Sequence, residues 1–147
     1  MSGDINTRAL AEARRWLGTP YRHQGAVQGA GCDCLGLIRG IWQALYAEEP
    51  ERVPPYSRDW AERDSDERLW RAALRHLCEV EAGQERAGQV LLFRMRSGAV
   101  AKHLGLASGR DRFIHAYSGH GVVESALTPA WSRRIVARFE FPDTTTP

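Results

Sequence analysis

The sequence predicts an α+β domain in which helices come first and an antiparallel sheet second. Three observations carry that expectation. Apolar residues recur at helical spacing as far as Val80; beyond Gly88 they fall in short β-branched and aromatic runs parted by turn residues. With 147 residues, 43% hydrophobic and 26% charged, the chain has the size and balance of one domain around one core. No repeat or low-complexity stretch divides it, so residues 1–142 read as a single domain and 143–147 as a loose tail.

The first helix is predicted from Thr7, which can cap it, to Leu17, with Ala9, Ala13, Trp16 and Leu17 on one face. Gly18 and Thr19-Pro20 stop it. A glycine-rich stretch, Gly25 to Gly31, leads to Cys34. The second helix runs from Cys34 to Tyr46 with Leu35, Ile38, Trp42 and Leu45 as its buried face, and Val53-Pro-Pro-Tyr56 breaks the pattern. A third helix is predicted from Asp64, boxed with Glu67, carrying Leu69, Ala73, Leu77 and Val80 on one side and Cys78 toward the core.

Five strands follow: Gln89–Met95, Lys102–Ala107, Arg112–Tyr117, Gly121–Ser125 and Ile135–Phe141. Ser108-Gly-Arg-Asp111 reads as a hairpin turn. If that hairpin folds symmetrically about Gly109, His103 and His115 stand directly opposite each other, where Cβ atoms are about 4.5–5.5 Å apart.

Composition excludes some classes of function. A net charge of +2 is too small to argue for a nucleic-acid or membrane partner, and runs such as Val90-Leu-Leu-Phe93 are far too short to span a bilayer. The polar start, Met1-Ser-Gly-Asp-Ile-Asn6, lacks an apolar signal core, so the expectation is a chain made and left in the cytoplasm. Three cysteines cannot all pair internally. Cys32 and Cys34, one residue apart, suit neither the usual zinc spacing nor a relaxed disulfide, and no metal or cofactor is expected.

Cys34 is the candidate nucleophile. It sits where a glycine-rich loop enters a helix, and unpaired N–H groups with the helix dipole favour a thiolate there. His103 and His115 supply a base and its orienting partner. His23, His76 and His120 lack a second residue to make a site, although His23 and His120 lie close enough in sequence to line a cleft.

Four pieces in order, Leu17-Gly-Thr-Pro-Tyr21, Asp33-Cys-Leu-Gly-Leu37, His103-Leu-Gly-Leu106 and Phe113-Ile-His-Ala116, resemble the NlpC family of papain-like cell-wall cysteine peptidases. The resemblance implies a papain-like fold, with the Cys-bearing helix packed on an antiparallel sheet. It implies hydrolysis of a peptidoglycan stem peptide, at the amide between D-glutamate and the diamino acid, by Cys34 with His103 as general base. His115 is then the third member of a triad, Tyr21 a donor to the oxyanion beside the Cys34 N–H, and Asp33 the group that meets the substrate's free amine. Asp33 reads equally as an N-cap of the second helix.

One departure stands out: Leu35 occupies the position where many members of the family carry serine, a hydroxyl that contributes to substrate recognition. The Asp-Cys-Leu-Gly-Leu variant, followed by Arg39-Gly-Ile-Trp42, is similar to peptidases of phage tails and gene transfer agents. That implies tail-tip or hub partners and incorporation into a phage-like particle. The segment Ala47–Asp64, with Tyr56 and Trp60 as anchors, is then the expected docking surface, the tail a second candidate. Two alternatives stand beside this reading: a structural tail-tip component with a vestigial site, and a thiol amidase or acyltransferase acting on another substrate.

Overall fold

A computed structural model describes residues 4–49 and 67–143. Of the expected docking segment Ala47–Asp64, all but residues 47–49 lies outside the described residues, and so do Tyr56, Trp60, the cap Asp64 and the tail beyond Asp143.

Helix α1 spans Ile5–Arg15 and starts a little earlier than predicted. Asp4, not Thr7, caps it: its Oδ1 accepts the Thr7 N–H at 2.8 Å, the bond an N-cap carboxylate makes to the third helical residue. Ala9, Ala13 and Trp16 are buried as expected, but Leu17 lies beyond the helix end and is exposed. A two-stranded hairpin follows, β1 (Ala26–Val27) with β2 (Gly31–Cys32), and it feeds directly into α2 (Cys34–Tyr46), whose bounds are those the sequence predicts.

Helix α3 (Arg68–His76) is shorter than predicted. Glu67 makes no capping bond; its carboxylate accepts instead from the Ala101 N–H and from Arg94. Leu77 turns extended, and Cys78–Glu79 form β3 against the last strand. Cys78 is therefore exposed on a sheet edge, not set in the core of a helix.

The sheet has six antiparallel strands in the order β3-β8-β4-β5-β6-β7, with β4 Val90–Phe93, β5 His103–Gly109, β6 Arg112–Tyr117, β7 Gly121–Ala126 and β8 Ile135–Glu140. Before β8 a single helical turn, α4 (Pro129–Ser132), is capped by Thr128. Both sheet faces are covered. Leu92, Leu104, Leu106, Ile114 and Phe139 pack against α1 and α2 in the main core, while Leu91, Phe93, Ala107 and Phe113 form a smaller core with Trp131 of α4. Two coverings explain why every residue of β4 is buried instead of every second one.

Two glycines set the helix that carries Cys34. A methyl group on Gly36 would sit 1.7 Å from the Gly25 carbonyl oxygen, and one on Gly40 would sit 2.1 Å from the Trp16 indole. Only a bare backbone lets the first turn of α2 rest on the preceding loop and α1 cross it one turn later.

Candidate active site

Asp33 fixes the start of α2. Its Oδ1 accepts the Gly36 N–H at 2.8 Å and its Oδ2 accepts the Gln24 N–H at 2.8 Å. The capping role is thus realised, and the same buried carboxylate ties the loop of Gln24 to the helix. Gln24 adopts φ 64°, a left-handed conformation unusual for a residue with a side chain. His23 lies beside this carboxylate, its Nδ1 4.0 Å from Asp33 Oδ2.

Cys34 is the first helical residue. Its side chain, half-buried, packs against the main core and meets the end of β5, where Sγ–H points at the Lys102 carbonyl at 3.7 Å. The N–H groups of Leu104, Leu35 and Cys34 itself face the sulfur. Among the described residues the β5–β6 pairing begins at Leu106↔Ile114, so the backbone around His103 is open toward the sulfur.

His103 and His115 come together, but not as a directly opposed pair. Leu106 faces Ile114 and Ala107 faces Phe113, with a bulge before Gly109↔Arg112; the pairing register is shifted by two residues from symmetry about Gly109. An even displacement keeps both histidines on one face, where a one-residue slip would have separated them. In this register they are diagonal neighbours, within reach of long side chains. Their rings close the gap: His103 Nε2 and His115 Nδ1 are 2.8 Å apart. Gly105 lies between them, with no side chain to obstruct the His115 Cβ, which is 3.4 Å from where its own Cβ would be.

The row continues to a residue the sequence reading did not single out. His115 Nε2 is 3.0 Å from Ser125 Oγ, supplied by β7. Trp131, also missed, closes the outer side, with ring centroids 5.8 Å from His103 and 5.1 Å from His115. A signal for each existed. Ser125 lies two residues from the partner of His115, Val123, and Thr128-Pro129 is a helix-start pair just ahead of Trp131. His120 also joins the surroundings, stacked on Tyr117, which is stacked in turn on His115.

Electrostatics correct one expectation. Burial pushes the Cys34 thiol up to about 12, and the neighbouring Asp33 carboxylate pushes the same way; the three N–H groups oppose them without prevailing. Burial drives His103 well below the ordinary imidazole range, helped by His115 and Lys102, and drives His115 down likewise, helped by His120. Both directions favour the neutral form, of the Cys34 thiol and of the His103 imidazole. Cys32, wholly buried, is also pushed up to about 12 by burial, with Asp33 and Cys34 adding to the effect, and is an inert core thiol.

Tyr21 pairs with Cys32, two residues before Cys34, in a short parallel bridge and packs, half-buried, against the main core. All five residues singled out from the sequence, Tyr21, Asp33, Cys34, His103 and His115, therefore lie around the meeting of the α2 N-terminus with β5.

The model of the NlpC/P60 family matches residues 18–139, which take in all five. The chain belongs to the NlpC/P60 family. Within it, the chain is 25% identical over 132 residues to the murein DD-endopeptidase MepS/murein LD-carboxypeptidase of Escherichia coli K12, covering 89% of this chain and 60% of that protein. The chain thus spans about 60% of the length of this curated relative. It is also 25% identical over 140 residues to a gamma-DL-glutamyl hydrolase of Bacillus subtilis 168, covering 94% of this chain and 30% of that protein. Among solved structures, the NlpC/P60 domain of the peptidoglycan hydrolase SagA superposes with a TM-score of 0.62 at 20% identity, covering 92% of this chain and 98% of that one. The α+β architecture expected from the sequence is the NlpC/P60 fold.

Proposed function

We propose that this NlpC/P60 domain is a cysteine peptidase that hydrolyses amide bonds in peptidoglycan stem peptides. The observations that carry the reading are that Cys34 Sγ meets the carbonyl of Lys102, the residue before His103, and that His103 meets His115 at 2.8 Å. His103 Nε2 is engaged with His115, which leaves Nδ1 to take the thiol proton. Because thiol and imidazole are neutral at rest, proton transfer accompanies attack: Sγ bonds to the scissile carbonyl carbon as its proton passes to Nδ1. The leaving amine takes that proton, and water then releases the acyl group from Sγ.

The oxyanion forms beside the Cys34 N–H, which has no intrahelical acceptor at this first position. The Tyr21 hydroxyl is its proposed second donor. Asp33 is proposed to meet the substrate amine as well as to cap α2. The bond proposed is that between D-glutamate and the diamino acid; among the relatives one is named for a gamma-glutamyl bond and another for a DD bond.

Incubating the purified protein with sacculi, wild type beside Cys34→Ala, and identifying the fragments by mass tests both points. Fragments ending in D-glutamate are expected. Equal release by Cys34→Ala would remove the mechanism, and DD-cleaved crosslinks alone would move the bond.

We infer further that the domain acts from a phage-like tail. The support is the Asp33-Cys-Leu-Gly-Leu37 variant, with Leu35 where related wall enzymes carry serine. Detection of the protein in purified particles is the expected result; particles that lack it would end this part of the reading.

A further inference from the structure

We propose that Ser125 is a positioning residue for the site: its hydroxyl oxygen accepts the His115 Nε2–H and thereby fixes the tautomers of both histidines. The distance is 3.0 Å, His115 is fully buried, and Ser125 is half-buried on the strand that pairs with β6. Phe113 faces Ser125 and His115 faces Val123, so Ser125 reaches His115 along a diagonal of the β6–β7 ladder, as His103 does across β5–β6.

The direction of each hydrogen bond follows from the one before it. A neutral imidazole carries one N–H and one bare nitrogen. If Ser125 accepts, the His115 proton is on Nε2 and its Nδ1 is bare. His115 Nδ1 then accepts from His103 Nε2–H, which leaves His103 Nδ1 bare, as its proposed role as base requires. Were Ser125 to donate instead, the His115 proton would move to Nδ1 and the His103 proton to its own Nδ1. The base would then present a donor to the thiol and have no place for its proton. One hydroxyl, two rings away from the sulfur, thus decides whether the site can accept a proton at all.

The surroundings make this bond consequential. Phe113, Tyr117 and Trp131 crowd His115, with ring centroids 4.3, 5.2 and 5.1 Å from its own. With the ring fully buried, water has little access to replace the serine, and an unpaired buried N–H is costly. Ser125 is also neutral, unlike the carboxylate of a Ser-His-Asp triad. It orients His115 without adding a negative charge that would raise the histidines, consistent with the downward direction of both. No proton passes to His115 or Ser125 during the reaction; the protons moved pass through His103 Nδ1 alone.

The choice of tautomer and the rate consequence both rest on the peptidase reading above, but the tautomer is measured without activity, and the test separates the two. In the full chain carrying Cys34→Ala, histidine ring nitrogen NMR reads the tautomer of His115 directly. With Ser125 present, His115 is expected as the Nε2–H form. Ser125→Ala is expected to give averaged nitrogen shifts, and Ser125→Thr, which keeps the hydroxyl, to restore them at an unchanged melting temperature. An Nδ1–H form with Ser125 present, or an unchanged tautomer in Ser125→Ala, overturns the proposal. In the active enzyme, Ser125→Ala is expected to lower kcat about threefold to tenfold with KM unchanged, the range one hydrogen bond supports. If the wild type proves inert on sacculi while the NMR result holds, the peptidase reading falls and the positioning role stands.

Discussion

His103 and His115 meet at 2.8 Å, Nε2 to Nδ1, although neither faces the other across the sheet. Diagonal placement is what lets the two rings lie nearly perpendicular, with centroids 5.0 Å apart and planes at 77°. In that arrangement a nitrogen of one ring is presented to the other. The two histidines are unequal: His115 is engaged at both nitrogens, by His103 and by Ser125, and His103 meets His115 through Nε2.

That inequality predicts unequal losses. His103→Ala removes the proton acceptor and is expected to cost about 10²–10⁴-fold in kcat/KM, the usual contribution of a general base. His115→Ala removes orientation only and is expected to cost less. Steady-state rates on a soluble stem peptide check this. Equal losses would mean that His115 takes part in proton transfer, and an unimpaired His103→Ala would remove the base assignment.

A neutral resting thiol has a signature in alkylation. The thiol is pushed up to about 12, so the reactive thiolate fraction at Cys34 should grow about tenfold per pH unit from pH 6 to 9 without a plateau. A preformed thiolate–imidazolium pair would instead level off well below neutral pH. Iodoacetamide labelling rates, followed on the Cys34 peptide by mass spectrometry, distinguish the two. A plateau below pH 7 would show that the helix N-terminus overcomes burial.

The contrast between expectation and structure at Cys34 shows where sequence reading stops. The helix start at Cys34, its end at Tyr46 and the order of the sheet segments follow from spacing and turn residues, which are local. Desolvation of the sulfur is not local: it comes from the end of β5, nearly 70 residues away. The same holds for the hairpin. Ser108-Gly-Arg-Asp111 signals a turn, but the bulge that shifts its register depends on how both strands pack. The two histidines stayed on one face because the shift was even. Leu77 and Cys78 read as helix by period; pairing with Phe139 and Glu140 drew Cys78–Glu79 into the sheet instead, a tertiary contact overriding a local pattern.

Gly36 offers a test of how the nucleophile is placed. Alanine is intrinsically the better helix residue by about 1 kcal/mol. Here its methyl would stand 1.7 Å from the Gly25 carbonyl oxygen and 2.8 Å from its carbon, and backbone cannot move aside cheaply. Overpacking costs about 1–3 kcal/mol and this contact lies at the severe end, so the clash wins. Gly36→Ala is expected to lower the melting temperature and also to lower kcat, because the displaced helix start carries Cys34 with it. A melting temperature at or above that of the wild type would show that the loop at Gly25 yields freely.

Acid should unfold the domain in a window that belongs to its two buried histidines. Both are held below the ordinary value of 6.5, His103 at about 3 and His115 at about 4, chiefly by burial. The unfolded chain therefore binds more protons than the folded one once the pH falls below 6.5, and stability falls with it. Their contribution is intact above pH 6.5 and is lost as the pH drops toward the folded values. Each histidine contributes a slope of at most about 1.4 kcal/mol per pH unit. Between pH 6.5 and 4.5 the pair could remove up to about 5 kcal/mol. The carboxylates held low by their partners, Glu124 by Ser108 and Glu140 by Gln89 and Asn6, act in the same direction but only from about pH 4.5 downward, where the unfolded carboxylates begin to protonate. Thermal unfolding at half-unit steps across the window, for the wild type and for His103→Gln with His115→Gln, isolates the histidine effect. The double variant is expected to start less stable, from lost packing, but to show a much flatter dependence. Parallel profiles would mean that the histidines are protonated in the folded state, and the neutral resting site would have to be abandoned.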